Sequence, residues 1–403
     1  MHRPTFFRNW NSSNKYPCHW KGVTCHPDHT VRTLDLSHFQ VSGTVSSAIS
    51  GLHNLEQLYL SDNSLSGTIP PELGNCTELE SLDLSDNNFH GQIPEQLGSL
   101  KKLSSLWLYN NSLNGSIPHS IFELPLLEAI YLSTNSLTGE IPSNVGNLTQ
   151  LSILWLGENS LVGEIPSSIA NCGHLSELHL NDNQLVGELP ESLGRLSKLA
   201  TLYVTSNKLE GHIPKSLGNC TKLINLELSA NYFSGAIPWE LGNCSSLAML
   251  SATTKSAHRE HTVFPWITAT PLRTLFESKS LVRAYTCTTW KLQPFGGVEG
   301  PIPPQLFEAK WLQKLSLFNN SLTGSISPEV CNLRHLQELG LADNELSGAI
   351  PGRLGAKSNL TGLDLTGKPP ERYNTSGTLL FRAIGASSNG RQSVGREHSS
   401  RYW

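Results

Sequence analysis

No apolar run of about 18 to 20 residues occurs in the 403-residue chain, so no segment is suited to cross a membrane as a helix. The opening MHRPTFFRNWNSSNK lacks the unbroken apolar core of a secretory signal peptide. A basic excess is missing as well: 29 Lys and Arg face 33 Asp and Glu, and the net charge of −4 argues against a nucleic-acid footprint. With 38% hydrophobic residues, the composition is not that of a disordered chain. Eight cysteines are too few for a disulfide scaffold at this length. Catalytic signatures are absent too: there is no GxGxxG ahead of a helix, no HRD or DFG, no nucleophile elbow and no metal-ligand cluster, and the 15 histidines follow no ligand spacing. The reading is a non-enzyme without a cofactor.

What the chain does have is a period. Asn63, Asn87, Asn111, Asn135, Asn159, Asn183, Asn207 and Asn231 recur every 24 residues. Each sits in the frame LxxLxLxxNxLxGxIPxxLxxL, as in LEQLYLSDNSLSGTIPPELGNC, which is the leucine-rich repeat. Six or seven buried apolar side chains per repeat contribute roughly 10 to 20 kcal/mol, whereas ordering the backbone of one repeat costs about 24 to 48 kcal/mol. One repeat therefore cannot fold alone, and stacking must join the strands into a parallel sheet. The Asn amide is expected to turn inward and satisfy turn backbone that no sheet partner reaches. The position before it, held by Asp62, Asp86, Asn110, Thr134, Glu158 and Asp182, is expected to face solvent.

The fold expected is an α/β repeat solenoid, a curved right-handed superhelix with a parallel inner sheet and short helical or 3₁₀ turns on the convex side. Its organisation is read as a degenerate N-terminal cap at 1–30 and an array of about nine repeats at 31–250. An irregular insert follows at 251–295, then about three repeats at 296–368, the last incomplete, and a polar disordered tail at 369–403. The 89 residues between Asn231 and Asn320 are three periods plus 17, so the insert is read as out of phase. The insert is either an island contributing to ligand binding or a gene-model artefact, and its lack of periodicity favours the second.

Cys76, Cys172, Cys220 and Cys244 fall in a column held elsewhere by Leu52, Leu100, Leu124, Leu148 and Leu196, which makes them core residues. Cys18 and Cys25 lie ahead of the array, where a cap must cover the first repeat's apolar flank; a disulfide loop with Trp10 and Trp20 can do so. A zinc site with His26 and His29 is the weaker alternative, because the cysteines are spaced too widely for paired ligands.

The stretch PCHWKGVTC, followed by 24-residue repeats with GxIPxxLGN segments, resembles the extracellular domain of plant leucine-rich-repeat receptor-like kinases and receptor-like proteins. The resemblance implies pairing of Cys18 with Cys25, an extracellular or cell-surface location (plasma membrane if a longer form exists), and a peptide or protein ligand on the inner surface in signalling or defence. An LRR co-receptor is a further expected partner. Neither signal peptide, membrane span nor kinase is read in this chain. The alternatives are a secreted protein similar to polygalacturonase inhibitors, and a truncated receptor-kinase fragment without independent function.

The expected ligand surface lies four positions before each Asn, where Tyr59, Trp107, Tyr131, Trp155, His179 and Tyr203 recur, with Tyr109, Glu158 and Asp182 beside them. Tyr and Trp combine large contact area with few rotors, which suits recognition, although cross-strand packing alone also favours aromatics there. Ten N-x-S/T sequons, at Asn11, Asn75, Asn110, Asn114, Asn147, Asn219, Asn243, Asn319, Asn359 and Asn374, are glycosylation candidates and favour a secretory route.

Overall fold

Three-residue strands ahead of the Asn column, such as Gln57–Tyr59, Ser105–Trp107 and Thr201–Tyr203, point their central leucine into the core and the flanking residues outward. Period-two alternation makes that separation. The computed structural model describes Trp10, residues 16–254 and residues 297–366. Among these, the strands join into one 14-stranded sheet, parallel except for Val23–Cys25, which pairs antiparallel with Val31–Asp35. From Val31–Asp35 to Met249–Ser251 each strand is in register with the one 24 residues on, so that Leu82, Leu106, Ile130 and Leu154 follow one another through the sheet. Behind it a single apolar core runs the length of the array, with Leu58, Leu73 and Phe89 fully buried.

The opposite side is built of five-residue 3₁₀ turns such as Pro71–Asn75 and Lys215–Asn219, these two preceded by Pro70 and Pro214, whose restricted φ suits helix entry. These turns approach closely. A Cβ on Gly74 would lie 2.3 Å from the Gln96 carbonyl oxygen of the next repeat, which explains the glycine. Two five-stranded sheets flank the core, formed by the segments after each Asn, from Ser42–Thr44 to Ser136–Thr138 and from Val186–Glu188 to Ser321–Thr323. The leucine pattern alone did not reveal them.

The Asn column is the polar spine. Asn207 donates through Nδ2 to the carbonyls of Leu180, Val204 and Thr205 at 2.9, 3.0 and 3.3 Å, and its Oδ1 accepts from the Leu185 N–H at 3.0 Å. The same set recurs from Asn63 to Asn344. The residue before each Asn adopts left-handed backbone, with φ between 50° and 58° from Asp62 to Asp343. That conformation turns the chain out of the strand, and Asp and Asn tolerate it better than most residues.

Across the expected insert the array does not stop. Met249–Ser251 pairs directly with Lys314–Ser316, and Tyr232–Ala236 pairs with Val298–Pro301. One repeat is thus completed by residues from both sides of 255–296, and Leu250 and Leu315, 65 apart, differ from one period by 41 residues. The interval from Asn231 to Asn320 is therefore two periods plus 41 residues, not a whole number of periods, with Lys255 at the intervening Asn position. Ser251–Thr254, assigned to the insert, belong to the array, and Thr254 bridges to Asn231. The rest of the insert, the tail 369–403, Cys287, Asn11 and Asn374 lie outside the described residues.

At the N-terminal end a disulfide joins Cys18 and Cys25. Trp10 stacks on Trp20 at 4.8 Å, and its indole N–H donates to the Lys21 carbonyl at 3.1 Å. Cys76, Cys172, Cys220 and Cys244 are free and buried, as the column predicts. Each thiol donates to a carbonyl of the preceding repeat, Cys172 to Val145 and Cys244 to Leu217, both at 3.3 Å.

Candidate functional site on the sheet face

The column four places before Asn forms a continuous ladder of rings. Trp107 stacks on Tyr131 at 5.9 Å, Tyr131 meets Trp155 edge-on at 4.8 Å, Trp155 stacks on His179 at 4.6 Å, and His179 stacks on Tyr203 at 4.5 Å. Register alone brings them together, since strand spacing of about 4.8 Å matches ring stacking. Tyr59 stands apart, because Asp83 occupies the rung between it and Trp107. Tyr109 lies two positions beyond Trp107, half-buried, with Ser85 and Asp86 near its phenol.

Burial governs the protonation of these groups. It pushes the Tyr109 phenol up to about 12 and raises Tyr131 and Tyr203, with nearby Glu177 adding to both. His179 is pushed down to about 4 by burial and is a neutral imidazole at physiological pH. Its Nε2 is buried without a hydrogen-bond partner, since Glu177 Oε2 at 4.0 Å is too distant to accept from it. Glu177 accepts instead from the Trp155 indole N–H at 3.1 Å, a contact the sequence reading missed although Glu177 lies two residues before His179. Burial also raises Glu227, against the Ser251 hydrogen bond and the Lys314 charge.

Glu158 and Asp182 sit exposed in the left-handed column at the edge of the ladder, held by Thr134 at 3.2 Å and Asn181 at 2.9 Å respectively. The outward columns of the repeats from Asn63 to Asn344 carry nine carboxylates: Asp83, Glu177, Glu227 and Glu338 on strands, and Asp62, Asp86, Glu158, Asp182 and Asp343 at the turn. The only Lys or Arg in those columns is Lys314. This face is therefore more acidic than the whole chain, whose net charge is −4.

The sequons divide by place. Asn75, Asn147, Asn219 and Asn243 each end a 3₁₀ turn and are exposed, away from the ladder. Asn114 and Asn359 are also exposed, whereas Asn110 and Asn319 are half-buried with amides donating to Asp86 at 2.6 Å and to the Thr254 carbonyl at 3.0 Å. Among the described residues, no group of three or more His, Cys, Asp or Glu could hold a metal ion, and no helix is long and apolar enough to cross a membrane.

The repeat frame, the sheet and the capped end define a solenoid of stacked repeats. The leucine rich repeat model matches residues 29–89 and 77–137, a second model of the same repeat matches 150–172, 174–196, 198–220 and 311–333, and the leucine rich repeat N-terminal domain matches 1–26. Together these cover more than half the sequence, and the chain belongs to the leucine-rich-repeat family. Its homologues are plant leucine-rich-repeat receptor-like kinases. One, a probable inactive leucine-rich repeat receptor-like protein kinase of Arabidopsis thaliana, is 43% identical over 49 residues, which are 12% of this chain and 7% of the kinase. The crystal structure of PEPR1–AtPEP1 is 34% identical with a TM-score of 0.72, over 91% of this chain and 50% of that one. The plant peptide hormone receptor RGFR1 in complex with RGF2 is 27% identical with a TM-score of 0.52, over 82% of this chain and 57% of that one. The chain thus spans half of the first solved protein and little over half of the second.

Proposed function

We propose that the chain is a non-catalytic, receptor-type extracellular module that binds an extended peptide, or an extended segment of a protein, across the ring ladder of its sheet face. The observation that carries this reading is the unbroken row of rings from Trp107 to Tyr203, each only partly buried on the sheet face. Rings locked by their neighbours lose little entropy when a ligand arrives, which makes them efficient contact groups. The likeness to PEPR1–AtPEP1 and to RGFR1 bound to RGF2 supports the same reading. The exposed sequons that end the 3₁₀ turns lie away from the ladder, and a leucine-rich-repeat co-receptor is the further partner this role expects.

A random peptide display library panned against the purified chain tests the proposal. Recovered peptides should bind wild type and lose about 1 to 2 kcal/mol for each of Trp107→Ala, Tyr131→Ala, Trp155→Ala and Tyr203→Ala. Enrichment indifferent to all four, in variants that melt cooperatively, would place the ligand surface elsewhere.

A further inference from the structure

The ladder rises across five strands from Trp107 to Tyr203. Four steps of about 4.8 Å make about 19 Å, the length of about six extended residues at 3.3 Å each. Three of the four ring contacts are face to face, so the ladder offers its edges to a ligand. Ring edges are the positive pole of the aromatic quadrupole, and a cation gains nothing from them. Discrimination by charge therefore falls to the groups on either side.

Those groups are acidic and lack basic partners. Glu177 on one side is held by the Trp155 indole, and Glu158 and Asp182 on the other by Thr134 and Asn181, all neutral donors. Among the described residues none of the three forms an ion pair with Lys or Arg, while Lys314 is paired with Glu338 at 3.2 Å. The neutral donors fix the carboxylates in place without cancelling their charge. Like charges on one face repel, and a ligand of opposite sign relieves that repulsion.

Resting on the peptide-binding reading above, we infer that the occupant of this face is a cationic peptide whose Lys or Arg side chains meet Glu158 and Asp182 on one side of the ladder and Glu177 on the other. An organised metal ion is a poorer match, because no described cluster offers three ligands.

Three synthetic peptides test this, equal in length and apolar content, with Arg, Gln or Glu at alternate positions, titrated calorimetrically into the full chain. The Arg peptide should bind about tenfold tighter than the Gln peptide, and the Glu peptide more weakly still. The Arg advantage should shrink at about 0.5 M salt. Combining Glu158→Gln, Glu177→Gln and Asp182→Asn should weaken the Arg peptide about tenfold and leave the Gln peptide unchanged, with the melting temperature held. Equal affinity for the Gln or Glu peptide, or an Arg peptide indifferent to the triple variant, overturns the charge assignment. If such a peptide still needs Trp155, as judged by Trp155→Ala, the peptide-binding reading survives alone. If none of the three binds and the library yields nothing, both fall.

Discussion

Replacing Asn207 with alanine tests what holds neighbouring repeats together. Its two amide N–H groups serve three carbonyls, its Oδ1 serves the Leu185 N–H, and the side chain is 1% exposed. Alanine removes about three hydrogen bonds and leaves their backbone partners buried, at about 1 to 1.5 kcal/mol per bond plus part of the desolvation penalty, or about 4 kcal/mol in all. Asn63 makes the same bonds to Leu36, Leu60, Ser61 and Val41 but is half-buried, so water can replace part of what alanine removes. Asn63→Ala should cost about half as much. Because stability in a stacked array is a sum of neighbouring interfaces, the assay is hydrogen exchange resolved by peptide, with protection lost around Leu180 to Leu209 in one variant and around Leu36 to Leu60 in the other. Equal costs at the two sites would refute the argument that burial sets the value of each amide.

Stability should fall as pH drops through the His179 range. The folded group titrates at about 4 and an unfolded histidine near 6.5, so the unfolded chain takes up the proton first; the contribution is complete above about pH 6.5 and lost towards pH 4, about 3 kcal/mol at most. Denaturant midpoints for His179→Phe should show a flatter acid limb than wild type. Gly22→Ala should open the cap, because Gly22 has φ +84° and a Cβ there would lie 2.1 Å from the Asp35 carbonyl oxygen; a loss of about 2 to 4 kcal/mol should appear as proteolytic cleavage near Cys25 under conditions where wild type resists. Burial pushes the Cys172 and Cys220 thiols up to about 11 and Cys244 up to about 12, so among the five described free cysteines iodoacetamide should label the partly exposed Cys331 first, as read by peptide mass.

The repeat was legible because the amide of Asn111 or Asn159 must meet backbone groups in a fixed frame, and no other side chain supplies both donors and acceptor there. The core cysteines were legible for the same reason, from a column otherwise filled by leucine. The left-handed column was not, since Asp62, Thr134, Glu158 and Ala230 share no residue type, and Thr134 adopts φ 57° despite its branched Cβ. The flanking sheets escaped notice because strands such as Ser42–Thr44 and Val186–Glu188 are short and contain glycine, which has low strand propensity. For the candidate site, the column of rings could be read from spacing, but not the neutral state of His179 or the grip of Trp155 on Glu177. Those depend on how deeply neighbouring rungs bury each other.

The Asn spine gives the array a direction. Asn63 completes a turn begun at Leu36 and Val41, Asn87 completes one begun at Leu60 and Leu65, and each repeat is finished only by its successor. Such a chain can grow or shrink by duplication in whole units that carry their own asparagine, while a fractional change leaves the preceding turn unfinished. The 41 additional residues enter at the repeat that has Lys255 in that position, a link between Asn231 and Asn320 that lacks its asparagine. Array length is in this sense a heritable quantity counted in integers, and each added unit widens the surface available to a ligand by one strand.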